Sequence, residues 1–202
     1  MGRLGKAPVE TPGLSFCGPS AMVGPEQPSG EAITMTATLE ARLEQLERRL
    51  REVEDRQEIM QLIATYGPAA DTCTQAAIAD LWTDDGTYTV VGHSTFEGSK
   101  HIGTLVEGAS HQGYVSAGCS HVMAMPRIVV DGDTAVATGY SQVFVRDGDH
   151  WRVARASGNR WELVRTPAGW RVKARYNHLM DGSESSRALM AQALPQALPH
   201  PG

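Results

Sequence analysis

The second half of the chain contains three long runs of β-prone residues joined by short turn sequences. The turns are Asp131-Gly-Asp133, Asp147-Gly-Asp149 and Thr166-Pro-Ala-Gly169. Strands joined by such short loops lie side by side and antiparallel, so this pattern predicts an antiparallel sheet. The strands are predicted over residues 134–146, 151–165 and 170–179. They are longer than the average strand, as expected for a strongly curved sheet that wraps around helices.

Helices and short strands fill the first half. After a long helix that begins near Leu39, the pattern predicts a helix over 75–82, a turn over 83–86, strands over 87–91 and 94–96, and a helix over 99–107. His121 then opens a further strand that runs to the turn at Asp131. Helices followed by a run of antiparallel strands indicate an α+β domain.

Apolar residues recur at heptad spacing in the long helix. One heptad position holds Leu39, Leu46, Val53 and Met60, and the other holds Leu43, Leu50 and Gln57. In a parallel coiled coil the flanking Arg42 and Arg49 would face Glu47 and Glu54 of a neighbouring copy. The alternative is an amphipathic helix that lies on its own domain. With the open sheet, the heptads predict a homotrimer or homodimer.

Composition sets the broader limits. The chain has 202 residues, of which 41% are apolar and 20% charged, enough for one soluble core. A net charge of −5 and the lack of a basic cluster predict no nucleic-acid partner. Because no apolar run approaches the length of a membrane span, no membrane partner is predicted. Three cysteines (Cys17, Cys73 and Cys119) are too few for a disulfide framework, which favours a cytoplasmic protein.

Three regions follow along the chain. Residues 1–34 contain five prolines and six glycines without an apolar period, which predicts a disordered tail. Residues 35–182 are predicted to form the α+β domain, including its long helix. Residues 183–202 are predicted to form a short helix, stopped by Pro195, and a tail. Met1 and Met35 both remain candidates for the natural start.

Four segments carry a resemblance to a known family. They are Tyr66 to Asp71, Leu81-Trp-Thr-Asp-Asp-Gly86, His121 to Ala135 and Gly169-Trp-Arg-Val-Lys-Ala-Arg175. Together they span about residues 36–182, and their order resembles the SnoaL-like branch of the NTF2-like superfamily. The resemblance implies an α+β cone in which a curved antiparallel sheet wraps around helices after a long N-terminal helix. The superfamily includes scytalone and bile-acid dehydratases, dehydrochlorinases, polyketide cyclases, ketosteroid isomerases, dioxygenase small subunits and binding modules without chemistry.

The resemblance also implies a catalytic set. Tyr66, Asp71 and His121 match the tyrosine, aspartate and histidine of the dehydratase and dehydrochlorinase members, and Arg175 matches a pocket arginine of some of them. A carboxylate that holds an imidazole in one tautomer makes a base that works near neutral pH. Gly67-Pro68 interrupts this segment, so the helix is expected to kink or end there, which either joins or separates the side chains of Tyr66 and Asp71.

Several large side chains are candidates for the wall of an apolar pocket. They are Trp82, Tyr88, Met123, Tyr140, Phe144 and Trp161, with Asn159 as a polar contact on the same strand face as Trp161. The alternative for the aromatic and methionine residues is ordinary core packing. Arg175 alternates with Arg171 and Lys173, and such a row of cations is more typical of a solvated strand face.

The motifs leave few kinds of chemistry open. The sequence has no glycine-rich phosphate loop, Gly-x-Ser-x-Gly elbow or Cys-x-x-Cys pair, and His93, His101 and His111 lack metal-ligand spacing, so no cofactor and no metal are predicted. The sequence therefore predicts a cofactor-independent lyase, a dehydratase or related β-elimination enzyme, acting on a small hydrophobic aromatic, polyketide or steroid-like substrate. The alternatives are an isomerase or cyclase, a non-catalytic binding module, and a dioxygenase small subunit with an iron-bearing partner.

Overall fold

A computed structural model describes the backbone of residues 30–195 and the side chains of residues 38–195. Most of the predicted disordered tail (1–34) and the end of the C-terminal tail (196–202) lie outside the described residues. Helix α1 already begins at Gly30, so residues 30–34 are helical and the predicted boundary at residue 35 falls inside the helix. The sheet and the helices that follow α1 belong to one compact unit that begins at Gln45.

Helices and strands alternate as an α+β domain. The elements are α1 (Gly30–Asp71), α2 (Gln75–Ala79), β1 (Trp82–Val90), β2 (Ser94–Glu97), α3 (Ser99–Gly103), a 3₁₀ turn (Thr104–Glu107), α4 (Ala109–Ala117), β3 (Cys119–Met123), β4 (Arg127–Asp131), β5 (Thr134–Asp147), β6 (His150–Thr166), β7 (Gly169–Leu179) and α5 (Glu184–Ala191). The turn expected at residues 83–86 is part of strand β1 instead. No helix in residues 30–195 is long and apolar enough to cross a membrane.

The seven strands form one mixed sheet in the order β2-β1-β7-β6-β5-β3, with β4 also paired to β5. The β5-β6-β7 meander is antiparallel, as its short turns predict. Strand β1, however, pairs with β7 in parallel, with Tyr88 opposite Arg175. The sheet expected to be antiparallel is therefore mixed, with this one parallel pairing. No short loop joins β1 to β7, so the local sequence does not dictate their relative direction.

Polar contacts fix helix α1 on the β6-β7 hairpin. Asp55 accepts two hydrogen bonds from the Arg165 guanidinium, at 2.7 and 2.8 Å, and a third from Trp170 Nε1 at 3.1 Å. Arg165 holds the pKa of Asp55 below its ordinary value, although burial opposes this. One turn later, Glu58 accepts a hydrogen bond from the backbone N–H of Trp170 at 2.9 Å. These contacts set the position of α1 along the sheet, and thereby the position of its last turn.

Helix α1 runs through Gly67-Pro68 and ends at Asp71. Of the two expectations for Gly67-Pro68, a kink or an end, the end is therefore wrong. Proline removes one backbone hydrogen bond from a helix interior, yet the Pro68 carbonyl still accepts from the Thr72 N–H at 3.0 Å. Cys73 follows with a left-handed backbone, φ 52°. The chain turns at Cys73, two residues beyond Asp71. The Asp71 carboxylate therefore lies at the end of the helix.

The heptad residues of α1 form an exposed apolar stripe. Its members are Leu39, Leu43, Leu46, Leu50 and Val53, and each is between 53% and 62% exposed. Single exposed leucines are ordinary, but a stripe at heptad spacing is typical of a helix that pairs with another. The core-facing side of the helix begins further along, where Ile59 and Ile63 are buried.

We expect the protein to assemble through this stripe as a dimer or trimer. Replacing Leu46 and Leu50 together by glutamate should raise the dissociation constant at least about tenfold, because it places charges in the apolar seam. The matched control is the pair Ala41→Glu and Gln45→Glu, which adds the same charge to exposed positions outside the seam. Light scattering of the purified chain measures both. A wild-type protein that is monomeric at about 50 µM would contradict the assembly.

Candidate active site

One face of the sheet carries two polar side chains in a single row. His121 of β3 lies opposite Val143 of β5, which lies opposite Arg155 of β6. Directly opposed residues on neighbouring strands project to the same face of a sheet. His121 is only 9% exposed and Val143 is buried, so this is the covered face. His121 and Arg155 therefore point into the same interior space from strands two positions apart.

The end of helix α1 meets His121. Oδ1 of Asp71 accepts a hydrogen bond from His121 Nδ1 at 2.6 Å. Oδ2 of the same carboxylate accepts from the backbone N–H of His121 at 2.9 Å. One carboxylate thus holds both the ring and the backbone of His121, which fixes the orientation of the imidazole.

This contact sets the protonation of the imidazole. A carboxylate only accepts hydrogen bonds, so Nδ1 of His121 carries the proton and Nε2 has a free lone pair. Burial lowers the pKa of His121, with His111 and Arg155 lowering it further, while Asp71 raises it. His121 lines the main cavity, and no residue in the described chain bonds to its Nε2. The site presents a neutral imidazole nitrogen that can take a proton.

A close contact between backbones allows this pairing. A methyl group added at Gly67 would overlap the carbonyl oxygen of His121. Only glycine permits helix α1 to approach strand β3 this closely. The glycine that the sequence presents as a break in the helix is thus the point where the helix touches the strand that carries His121.

A second histidine lies beside the first. The rings of His111 and His121 are 5.2 Å apart and tilted by 31°. Nε2 of His111 lies 2.9 Å from the carbonyl oxygen of Ala70, which can only accept, so this nitrogen donates and Nδ1 is the free acceptor. His111 also lines the cavity. The sequence gives no signal for this contact, because His111 and Ala70 belong to different helices far apart in the chain.

Cys119 completes the surroundings of Asp71. Its thiol donates to Asp71 Oδ1 at 3.3 Å. Burial, together with the Asp71 carboxylate, raises the pKa of Cys119 to about 11. Asp71, Cys119 and His121 place one potential metal-ligand atom each within 4.8 Å of one another. These atoms are already joined by hydrogen bonds and the thiol keeps its proton, so the set fits a hydrogen-bonded pair better than a metal centre.

Tyr66 and Arg175 contact each other in a cluster of aromatic rings next to the cavity. Tyr66 lines the cavity and packs edge-on against the rings of Trp82 and Trp161, at 6.0 and 5.9 Å. The Arg175 guanidinium lies over three rings, 4.2 Å from Tyr66, 4.6 Å from Tyr88 and 4.1 Å from Trp161. Arg175 is 1% exposed and is absent from the cavity wall. It therefore supports the rings around the cavity from behind.

The inward direction of Arg175 results from a register shift. Lys173 is unpaired where strand β7 passes from Val172, opposite Leu163, to Ala174, opposite Glu162. An unpaired residue reverses the alternation of a strand. Val172 and Arg175 are consequently both buried, while Lys173 faces solvent. The alternative that Arg175 shares a solvated face with Lys173 is wrong.

The cavity lined by His121 has a volume of about 390 Å³, which is typical of a small-molecule site. Elements α2, β1, β2 and α3 and the 3₁₀ turn supply mostly apolar wall. The polar residues of the wall are Tyr66, Tyr88, His93, Ser94, Ser110, His111, His121 and Arg155. Burial raises the pKa of Tyr88 to about 12, so its phenol stays neutral. None of the cavity-lining residues in the described chain is acidic.

The predicted wall residues divide into four groups. Tyr88 lines the cavity. Trp82 and Trp161 are buried in the ring cluster next to Tyr66, and Asn159 lies behind them, where its Oδ1 accepts from Arg175 Nε and Nη2 at 3.1 and 2.8 Å. Met123 packs at the edge of the same core without reaching the cavity wall.

Tyr140 and Phe144 lie elsewhere. They alternate on β5 with Ser141, Val143 and Val145, which are buried. The two aromatic residues therefore occupy the opposite face of the strand, and Tyr140 is 48% exposed. Neither lines the cavity, so a direct substrate contact for these two residues is not compatible with the structure.

A long helix packed on an open, mostly antiparallel sheet beside a cavity is the architecture of the NTF2-like α+β domains. Residues 51–176 match the model of the SnoaL-like domain, and the chain belongs to that family. Both the fold class and the resemblance expected from the sequence are confirmed.

Solved structures show the same fold. An NTF2-like protein with a cystatin-like fold from Novosphingobium aromaticivorans is 45% identical, covers 72% of this chain and 94% of its own, and has a TM-score of 0.70. A protein from Catenulispora acidiphila in complex with S-DNPA is 23% identical, with coverage of 61% and 91% and a TM-score of 0.54. An NTF2-like superfamily protein from Salmonella enterica is 17% identical, with coverage of 62% and 91% and a TM-score of 0.53. The comparison with curated proteins gives no match.

Proposed function

We propose that this protein is a cofactor-independent lyase that catalyses a dehydration, or a related β-elimination, on a small and largely hydrophobic molecule. The observation that carries the proposal is the Asp71–His121 pair, joined at 2.6 Å, in which the buried His121 lines the cavity and Asp71 occupies its Nδ1. A neutral imidazole held by a carboxylate is the arrangement that removes a proton from carbon at neutral pH.

The reaction uses three side chains. Nε2 of His121 accepts the proton from the carbon next to an activating carbonyl group, and Asp71 stabilises the imidazolium that forms. The electron pair of the broken C–H bond forms the new double bond while the C–O bond of the β-hydroxyl group breaks. Tyr66, on the same cavity, donates its proton to the departing oxygen, which leaves as water. The proton on His121 then returns to Tyr66 through solvent and restores both groups.

Arg175 acts in this scheme through Tyr66. Its guanidinium lies 4.2 Å from the centre of the Tyr66 ring and is held by Asn159. A cation over an aromatic face fixes the orientation of the ring. Arg175 is therefore a positioning residue, and the contacts with substrate fall to the groups on the cavity wall.

Isomerisation and aldol-type ring closure begin with the same proton removal, so the pair serves them equally well. Elimination is the reaction that also uses a proton donor at the leaving oxygen, and Tyr66 on the cavity wall favours it. A binding module or a dioxygenase small subunit would need no proton acceptor on the cavity wall. The Catenulispora acidiphila protein in complex with S-DNPA is consistent with a small-molecule ligand in this fold.

Deuterium exchange tests the proposal without a known substrate. The protein is incubated in D2O with a panel of aromatic and alicyclic β-hydroxy carbonyl compounds, and NMR follows both deuterium uptake at the acidic carbon and loss of water. Wild-type protein should accelerate both for at least one compound. The surface variant Tyr140→Phe is the control and should match the wild type. Binding without exchange would support a binding module, and co-purification with an iron-bearing subunit would support the dioxygenase alternative.

The pH dependence of turnover follows from His121. Because burial lowers its pKa below the ordinary value of 6.5, the imidazole should remain neutral into mildly acidic solution. Protonation removes the acceptor, so kcat/KM should fall about tenfold per pH unit below that pKa and be level above it until another group titrates. Initial rates from pH 4.5 to about 8 measure the profile. A midpoint above 6.5 would contradict the assignment of His121 as the base.

A further inference from the structure

We propose that Arg155 binds a carboxylate group of the ligand, so that the substrate of this protein is a small hydrophobic carboxylic acid. The inference deepens the proposed lyase function, since it rests on the same cavity and names the class of molecule that enters it. Neither the resemblance nor the sequence motifs point to Arg155.

The strand pattern directs Arg155 into the cavity. Trp161, Asn159 and Ser157 are buried at alternate positions of β6, and Arg155 is the next residue in that series. The strand loses this alternation only beyond Arg155, because Ala154 is unpaired between Arg155, opposite Val143, and Val153, opposite Phe144. Arg155 is thus the last inward-facing residue of the strand before the bulge, and it lines the cavity wall.

Arg155 lacks the carboxylate partner that several other arginines of the sheet have. Arg165 pairs with Asp55, and Arg160 pairs with Glu162. Within residues 38–195 no carboxylate pairs with Arg155, and its buried Nε has no hydrogen-bond partner. A partly buried guanidinium without a counter-ion is unfavourable, and a bound anion relieves that cost.

The charge of Arg155 acts on other groups of the cavity wall, His121 among them. Burial raises the pKa of Tyr88 and lowers that of His121, and the positive charge of Arg155 lowers both. His121 and Arg155 are separated by one strand, about 10 Å between their backbones at two strand spacings. They therefore occupy different points of one wall, so that Arg155 can hold the acid group while His121 meets a carbon elsewhere in the same molecule.

The side chains that line the cavity favour a carboxylate over a phosphate as the acid group of the ligand. Arg155 is the sole lysine or arginine among the described residues that line the cavity, and the remaining wall combines apolar residues with tyrosines, serines and three histidines, His93, His111 and His121. A single guanidinium balances one negative charge and binds both carboxylate oxygens side by side. A phosphate group carries nearly two charges and normally requires further cations or a cluster of backbone N–H groups. Arg175 does not line the cavity: its guanidinium lies over aromatic rings and donates to Asn159.

Binding measurements test the inference without turnover. The probes are 2-naphthoate, its neutral amide and 2-naphthyl phosphate, and isothermal titration calorimetry gives each dissociation constant. Wild-type protein should bind 2-naphthoate at least about tenfold more tightly than the amide, and at least as tightly as the phosphate. Arg155→Met, which keeps the aliphatic stem, should abolish the preference for the acid over the amide. Arg155→Lys should keep part of it.

Two controls separate the possible outcomes. Arg160→Met removes a paired arginine from the other face of β6 and should leave the preference unchanged. His121→Gln should also keep the preference, so binding selectivity and catalysis are measured independently. Equal binding of acid and amide by wild-type protein would overturn the inference, even if deuterium exchange is seen. A clear preference for the acid in a protein that exchanges no deuterium would overturn the lyase proposal and leave this inference standing.

A stronger affinity for the phosphate than for the carboxylate would overturn the choice of ligand class. Circular dichroism and thermal unfolding check that the variants fold. If Arg155→Met fails to fold, Arg155→Gln and the wild-type comparison of acid with amide still decide the question, because the latter needs no substitution.

Discussion

Replacing His121 by glutamine is expected to lower kcat/KM by at least about 10³-fold. The glutamine NH2 group can still donate a hydrogen bond to Asp71, but the amide has no basic nitrogen, so the proton acceptor on the cavity wall is lost. The volume of the side chain is largely kept, and we expect ligand affinity to change less than about threefold. Steady-state rates with a compound found by deuterium exchange measure the loss. Activity equal to wild type in this variant would remove the lyase proposal and favour a binding module.

Asp71→Asn provides the partner measurement. The amide cannot stabilise an imidazolium, and its NH2 group competes for the position of the Nδ1 proton, so a loss of about 10²- to 10⁴-fold is expected. Asp84→Asn removes the same charge from an exposed position and should leave the rate unchanged. If the two residues act as a pair, the double variant should lose little more than the His121→Gln variant alone. Additive losses would show that the carboxylate and the imidazole act separately.

The hairpins of the sheet could be predicted because their signals are local. The Asp-Gly turns at residues 131–133 and 147–149 lie between long β-prone runs, and the strands pair as those turns require. The parallel contact between Tyr88 and Arg175 joins segments that are far apart in the chain. Neither alternation nor turn chemistry carries information about such a pairing. The family resemblance supplied the fold class, and the local signals supplied most of its strands.

The candidate site was less accessible to sequence reasoning. The prediction that Asp71 and His121 form a pair rests on the family resemblance. Their contact at 2.6 Å depends on where Asp55 fixes helix α1, and no local sequence signal encodes that position. The row of Arg171, Lys173 and Arg175 misleads because one unpaired residue, Lys173, reverses the alternation. Arg155 shares its strand face with Asn159 and Trp161. Continuing the alternation from Asn159 through residue 157 to residue 155 identifies Arg155 from the sequence.

Replacing Gly67 by alanine is expected to destabilise the fold by about 2 kcal/mol and to lower turnover further than that loss explains. The added methyl group would overlap the carbonyl oxygen of His121, so helix α1 must move away from strand β3. That movement lengthens the contact between Asp71 and His121, on which the base depends. Thermal unfolding should show a midpoint lower by about 5 °C. Rates measured well below that midpoint should still be reduced at least about tenfold.

Gly113→Ala is the matched control for Gly67→Ala. Gly113 lies in helix α4, where a methyl group would meet no atom within 4 Å. Alanine favours a helix over glycine by about 1 kcal/mol, so this variant should be as stable as wild type or slightly more stable, with unchanged turnover. Both variants add one methyl group to a helical glycine, and only the first touches β3. If the two variants have equal stability and turnover, the Asp71–His121 contact does not depend on the close approach of α1 to β3. That result would contradict the proposed dependence of catalysis on the position of the helix.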